Sequence, residues 1–196
     1  MFNKKNQLKK MKKFFSLFAA VLMAGSMMAE NPNLIKFTEP SAAGSLNGQT
    51  FGSEFTLTIT DTGNKVSIDK NSCTFGVSEE DKISFDPRLK TGGKSSSANK
   101  MTLVVPEEGM LVVYARTASS SATDRSFVIA NGSDTIMKHL CLDTDTVEGA
   151  SSKIFLPAIK ENVPAGIYEV TYSAAINFYG FDMPAEEEEE EVTYET

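Results

Sequence analysis

Two arginines and two polar side chains carry the recognition chemistry in this chain. Arg116 closes the run Leu111-Val112-Val113-Tyr114-Ala115. Arg125 opens the run Ser126-Phe127-Val128-Ile129-Ala130, after a Ser-rich stretch at 118–123. A guanidinium is a planar fork of N–H donors that matches a carboxylate, or a pair of sugar hydroxyls, bidentately. Asn177 and Tyr179 share one face of an extended segment, opposite Ile176 and Phe178, because side chains alternate along a strand. An amide and a phenol so placed offer a sugar one hydrogen bond and one ring face. Each residue also has a plainer reading. The arginines pair with nearby acids such as Asp124 or Asp182, and the tyrosine is half-buried core. The chain has no tryptophan, so the widest aromatic platform for a sugar ring is missing.

Other motifs carry less. Gly93-Lys94-Ser95 matches the end of a phosphate-binding loop, but that motif needs a glycine where this chain has Arg88, and a helix after it. His139 is the single histidine; a triad would need it near a serine or cysteine and a carboxylate, nothing in the sequence points to that, and a lone histidine is read as structural. Asp143 and Asp145 fall on the same side of an extended segment, which suits either a structural calcium or a solvated acidic loop. No other cofactor is implied. No acidic pair is framed by aromatic strands as a glycosidase requires, so the chain is read as non-enzymatic.

These residues need elements to hold them. Phe55-Thr56-Leu57-Thr58-Ile59-Thr60 alternates strictly, and Asp61-Thr62-Gly63-Asn64 reads as a turn before Val66-Ser67-Ile68. Similar runs cover 101–105, 110–116, 126–130, 135–137, 153–156, 167–172 and 175–183. Pro106, Pro157, Pro164-Ala165-Gly166 and a tight Asn131-Gly132 turn separate them. Alternation on 110–116 puts Met110, Val112, Tyr114 and Arg116 on one face and Leu111, Val113 and Ala115 on the other, as in a strand covered on both sides. Helical periodicity is nearly absent. The pattern predicts an all-β antiparallel sandwich, a jelly roll of about eight to ten strands.

The first residues read as an export leader. Lys4, Lys5, Lys9, Lys10, Lys12 and Lys13 precede an apolar run at 14–24, and small residues follow at Gly25, Ser26 and Ala29. The expected organisation is a signal peptide at 1–29, one sandwich domain at 30–184 and an acidic tail at 185–196 that holds Glu186 to Glu191. The apolar run is shorter than the roughly 20 residues a spanning helix needs, so no membrane insertion is expected after cleavage. The expected location is secreted, periplasmic or at the cell surface. With 26 acidic against 19 basic residues, and much of the basic charge in the leader, a nucleic-acid partner is disfavoured. Cys73 and Cys141 are the only cysteines. An oxidising compartment permits a bridge between them, worth roughly 4 kcal/mol on a chain-entropy estimate, and two buried free thiols fit equally well.

Taken in order, the stretches Lys90-Thr91-Gly92-Gly93-Lys94-Ser95, Tyr114-Ala115-Arg116, Asp124-Arg125, Ala165-Gly166-Ile167-Tyr168 and Ile176-Asn177-Phe178-Tyr179-Gly180-Phe181 resemble non-catalytic β-sandwich modules. Such modules accompany pectate lyases and other secreted polysaccharide-degrading proteins of Bacteroidetes-type bacteria. The resemblance spans roughly residues 50–183. It implies a galactose-binding-like jelly roll and an extracellular polysaccharide partner of the acidic, pectin type. Carried over by position, it implies Lys90, Arg116, Arg125, Asn177 and Tyr179 as ligand-binding residues. The alternative expectation is an extracellular structural or surface interaction protein without glycan specificity, with the acidic tail as spacer or assembly signal.

Overall fold

The computed structural model describes residues 32–78, 81–142, 147–148 and 154–185. The leader, the Asp143/Asp145 pair and the glutamate tail lie outside the described residues. Among the described residues sixteen strands follow one another: β1 (Leu34–Lys36), β2 (Thr50–Gly52), β3 (Thr56–Asp61), β4 (Val66–Asp69), β5 (Cys73–Phe75), β6 (Ile83–Phe85), β7 (Arg88–Thr91), β8 (Asn99–Val105), β9 (Gly109–Thr117), β10 (Ser126–Asn131), β11 (Asp134–Leu140), β12 (Val147–Glu148), β13 (Ile154–Phe155), β14 (Ile159–Val163), β15 (Gly166–Tyr172) and β16 (Ile176–Asp182). All lie in the unit that begins at Asn33, and the described residues contain no helix.

Two six-stranded antiparallel sheets make the body. One runs β14-β9-β16-β7-β4, with β1 beside the end of β16. The other runs β11-β10-β15-β8-β3-β2. The chain crosses repeatedly from sheet to sheet, as at β7 to β8, β8 to β9, β9 to β10, and β14 to β15 to β16. The inward positions of both sheets merge into one core. It includes Leu57 and Ile59 of β3, Met101 and Leu103 of β8, Leu111 and Val113 of β9, and Phe178 and Phe181 of β16. The all-β antiparallel sandwich expected from the alternating runs is therefore the observed architecture. The number of strands is larger than expected, because β1, β2, β5, β6 and β7 are only three or four residues long and show almost no alternation to read.

A third, smaller layer lies against the outer face of the first sheet. The β5–β6 hairpin brings Phe75 and Phe85 onto Val112 and Tyr114 of β9 and Tyr179 of β16, with Leu156 beside them. The aromatic rings meet with centroids 4.7 to 5.9 Å apart; Phe75 is edge to face with Phe85 and Tyr114, a favoured arrangement for their quadrupoles, and the other two pairs are tilted. This layer explains why Val112 and Tyr114 are apolar on the face turned away from the main core. It also explains why every residue of β16 is buried.

β16 carries one extra residue. Phe178 faces Ala115 on β9, but Gly180 faces Tyr114, so Tyr179 is inserted as a bulge. The bulge resets the alternation, and Phe178 and Phe181 both point into the main core while Tyr179 points into the outer layer. At the start of the same strand, the Thr91 hydroxyl donates to the Ile176 carbonyl at 3.0 Å and accepts from the Ile176 N–H at 2.8 Å. That side chain fastens β7 to β16 just where the candidate site begins.

The Gly/Ser/Lys stretch after β7 is structural at its serine. Ser95 exchanges hydrogen bonds with the Tyr172 backbone through both its hydroxyl and its N–H. No helix follows it, in keeping with the rejection of a phosphate-binding loop. The β10–β11 hairpin turns through Gly132-Ser133, one residue later than expected. Asn131 is still paired with Asp134, and Gly132 supplies the positive φ of 60°. Cys73 and Cys141 are not joined in a disulfide; the first is half-buried in the outer layer and the second buried in the main core.

Candidate functional site

Strand register assembles the site. Arg116 on β9 stands opposite Asn177 on β16, Asn177 stands opposite Lys90 on β7, and Lys90 stands opposite Ser67 on β4. All four lie on the outer face, since Ala115, Phe178 and Leu89 beside them belong to the main core. Two residues back along β7, Arg88 faces Asp69 on β4. Its Nε donates to Asp69 Oδ1 at 2.7 Å and its Nη2 to Oδ2 at 3.4 Å, so the carboxylate holds the guanidinium as a fork. Lys90 Nζ sits 3.9 Å from the same carboxylate.

The outer hairpin covers most of this face but stops short of the row containing Arg116 and Asn177. A cleft of about 210 Å³ is left there, lined by Asn71, Arg88, Arg116, Asn177 and the segment from Thr117 to Ser120. The wall at one end is the Ser-rich turn after β9, where the Ser119 N–H donates to Thr117 Oγ1 at 3.2 Å. At the other end stands the β4–β5 connection, held by the Tyr179 hydroxyl donating to Asn71 Oδ1 at 2.9 Å.

Asn177 forms part of the lining and is only 3% exposed. Its Nδ2 reaches the Thr117 carbonyl at the long distance of 3.5 Å, and its buried Oδ1 accepts no hydrogen bond. An unsatisfied buried carbonyl oxygen costs about 1–3 kcal/mol, so native structures rarely keep one without a use. A ligand hydroxyl or a re-aimed guanidinium is the kind of donor that would satisfy it.

The electrostatics favour an anion. Arg88 and Lys90 share the single carboxylate of Asp69, and Arg116 stands in the same cross-strand row as Lys90, with Asn177 between them. Burial works against the Arg88 charge, but its bonds to Asp69 and Tyr179 outweigh that and raise its pKa. The Cys73 thiol is pushed up by burial, and the nearby Arg116 charge pulls the other way. Burial also raises Tyr179, as does the neighbouring Cys73, so its hydroxyl stays protonated and able to donate. Among the described residues, no group of three or more His, Cys, Asp or Glu could hold a metal ion.

The structure divides the residues that the sequence singled out. Arg116, Asn177 and Lys90 lie in one row across the first sheet, with Tyr179 on the same face. Tyr179 cannot stack on a sugar, however. It is fully buried, with its ring 5.4 Å from Phe75, because the β5–β6 hairpin covers it. Its part in the site is the hydroxyl that holds Asn71. Arg125 is also placed differently from the expected clamp. It does not line the cleft, and its Nη1 donates to the Ala175 carbonyl at 3.0 Å, tying β10 to the turn before β16. Arg88, Asn71 and the Thr117–Ser120 segment line the cleft without having been read as site residues. Arg88 shares the outward phase of Lys90, which a strand over 88–91 would have revealed. Asn71 enters only through the loop that crosses to the outer layer. His139 lies opposite Phe127 on the other sheet, 5.9 Å between rings; it does not line this cleft but shares a second, smaller cavity with Arg116.

No protein-family model matches the chain, and no curated protein matches it.

Proposed function

We propose that the domain is a non-catalytic binding module for an extracellular acidic polysaccharide, and that the cleft over Arg116 and Asn177 is where it binds. The observation that carries this reading is the lining itself: two guanidiniums, two amides and a run of small hydroxylated residues, with no exposed aromatic ring. Such a set recognises a carboxylate together with neighbouring hydroxyls, which is the chemistry of a uronate. It offers little to a lipid or an apolar peptide, whose sites are lined chiefly by apolar side chains. The formal charge of the whole chain is −7, so long-range attraction does not bring a polyanion in. The local cationic cluster acts within the Debye length, about 8 Å at physiological salt.

Affinity electrophoresis tests the reading. The protein is run through gels containing polygalacturonate, or a neutral galactan at equal mass. Retardation by the acidic polymer alone, weakened in Arg116→Gln and by added salt, is the expected result. Equal retardation by both polymers, or by neither, overturns it.

A further inference from the structure

We infer that the bound polymer leaves the cleft across the strands, over β7 and onto β4, and that Lys90 and Lys65 take the carboxylates of further uronates. This rests on the proposed function and narrows its ligand to a run of consecutive free-acid sugars. The charge distribution points this way. Residues 65–70 and 88–94 hold five basic side chains and one acid, in a chain with 26 acidic against 19 basic residues. These stretches are β4 and β7 with their flanks, paired at one end of the first sheet. The one acid, Asp69, is held by the Arg88 fork. It reaches Lys90 only at 3.9 Å, and the Lys90 side chain is 49% exposed. So loose an exposed pair contributes little to stability, and its ammonium is at hand for a ligand carboxylate.

Register sets the path. From Arg116 the row steps to Asn177, Lys90 and Ser67, one strand at a time. Neighbouring strands lie about 4.8 Å apart, so the row is about 14 Å long, more than a single sugar ring covers. The outer layer packs on β9 and β16 through Val112, Tyr114 and Tyr179, and β7 and β4 contribute no described residue to that cluster. The next residue on the face of Lys90 is Gly92. It lies so near the Lys65 backbone that a Cβ on it would come within 2.6 Å of the Lys65 carbonyl oxygen. No side chain of β7 therefore stands between Lys90 and Lys65, and Lys65, two residues before Ser67, is exposed. The groups along the path differ in kind. Asn177 Oδ1, an acceptor without a donor, suits a sugar hydroxyl at the cleft floor. The lysines beyond it suit carboxylates spaced along a chain.

Calorimetric titration tests the path, with galacturonic acid and trigalacturonate as probes. The proteins are the wild type, Lys90→Gln, Lys65→Gln and the double variant. Both lysines are exposed and neither lines the cleft. The variants should therefore melt with the wild type and bind the monomer within about twofold of it, as ordinary surface substitutions do. The wild type should bind the trimer at least about tenfold more tightly than the monomer, a step of about 1.4 kcal/mol. Each single variant should lose about threefold of that gain, the scale of one exposed charge pair, and the double variant most of it. Monomer and trimer affinities within about threefold of one another overturn the inference and leave acidic-glycan binding in the cleft standing. A trimer gain that survives intact in the double variant also overturns it, since the chain then leaves the cleft by another route. No binding of either sugar, by heat or by gel retardation, overturns the proposed function and this inference with it.

Discussion

Phe178 and Phe181 stack on one another, with ring centroids 5.5 Å apart and planes 18° from parallel, although they are three residues apart on the same strand. Regular alternation would send them to opposite faces. The Tyr179 bulge is what reconciles them: it shifts the phase by one residue, so that Phe181 returns to the main core beside Phe178 while Tyr179 keeps the outward face it shares with Asn177. Tyr179 also anchors the site, because its hydroxyl holds Asn71 at the cleft wall.

The bulge leaves no room at Gly180. A Cβ there would lie 2.8 Å from a Phe85 ring carbon and 2.9 Å from the Ile35 carbonyl oxygen. Gly180→Ala must push the outer layer or β1 away from β16. The expected cost is about 1–3 kcal/mol, the usual range for overpacking, read as a lower urea midpoint with an unchanged slope. An unchanged midpoint would mean that the outer layer is not packed on β16 as described.

Asn177→Leu separates stability from binding. The apolar replacement, of similar size, removes the orphaned oxygen and gives up only the long bond to the Thr117 carbonyl. Thermal stability should hold or rise, while affinity for a uronate should fall by about tenfold or more, the scale of one lost polar contact. A variant that melts early would mark Asn177 as structural.

Arg116 and Arg125 should behave differently. Arg125→Ala removes the bond to the Ala175 carbonyl and should cost about 1 kcal/mol of stability with uronate affinity unchanged. Arg116→Gln should weaken uronate binding. Binding lost equally in both variants would place the ligand at the other end of the Ser-rich turn.

Alkaline pH should unfold the domain in a definite window. Burial lifts Tyr114 to about 12, helped by Asp182, and lifts Tyr172 to about 12, helped by Asp61. In the unfolded chain a tyrosine titrates near 10. The folded state therefore holds the proton more tightly, and its advantage is complete below about pH 10 and lost as the pH rises towards 12. Tyrosinate absorbance should rise together with loss of the β-sheet circular dichroism signal in that interval. Titration of every tyrosine near 10 in a still-folded protein would contradict the burial of these two.

The main sandwich was legible because its long strands obey a two-residue period. Thr56–Asp61 and Gly109–Thr117 announce their buried faces residue by residue. The apolar outward positions of 110–114 even signalled a cover on the second face, without saying what supplied it. The outer hairpin itself was not legible, since Cys73–Phe75 and Ile83–Phe85 are too short to show a period. That omission had a consequence for the site. Without the hairpin, Tyr179 reads as an edge residue with a free ring, and Asn71 has no reason to approach Arg116. The pairing of Arg116 with Asn177 and Lys90 depended on cross-strand register, which the spacing within each strand does not specify. Arg125 read as a partner of Arg116 because the two flank one loop, but its guanidinium turns back to a backbone carbonyl.

The most direct test of the cleft is backbone and side-chain amide NMR during titration with galacturonic acid. The account predicts that shifts concentrate at Thr117 to Ser120, at the Asn71 and Asn177 side-chain amides and at the Arg88 and Arg116 Nε–H groups. Shifts centred on the outer face of the opposite sheet, at β3, β8 and β15, or no shifts at saturating sugar, would contradict it.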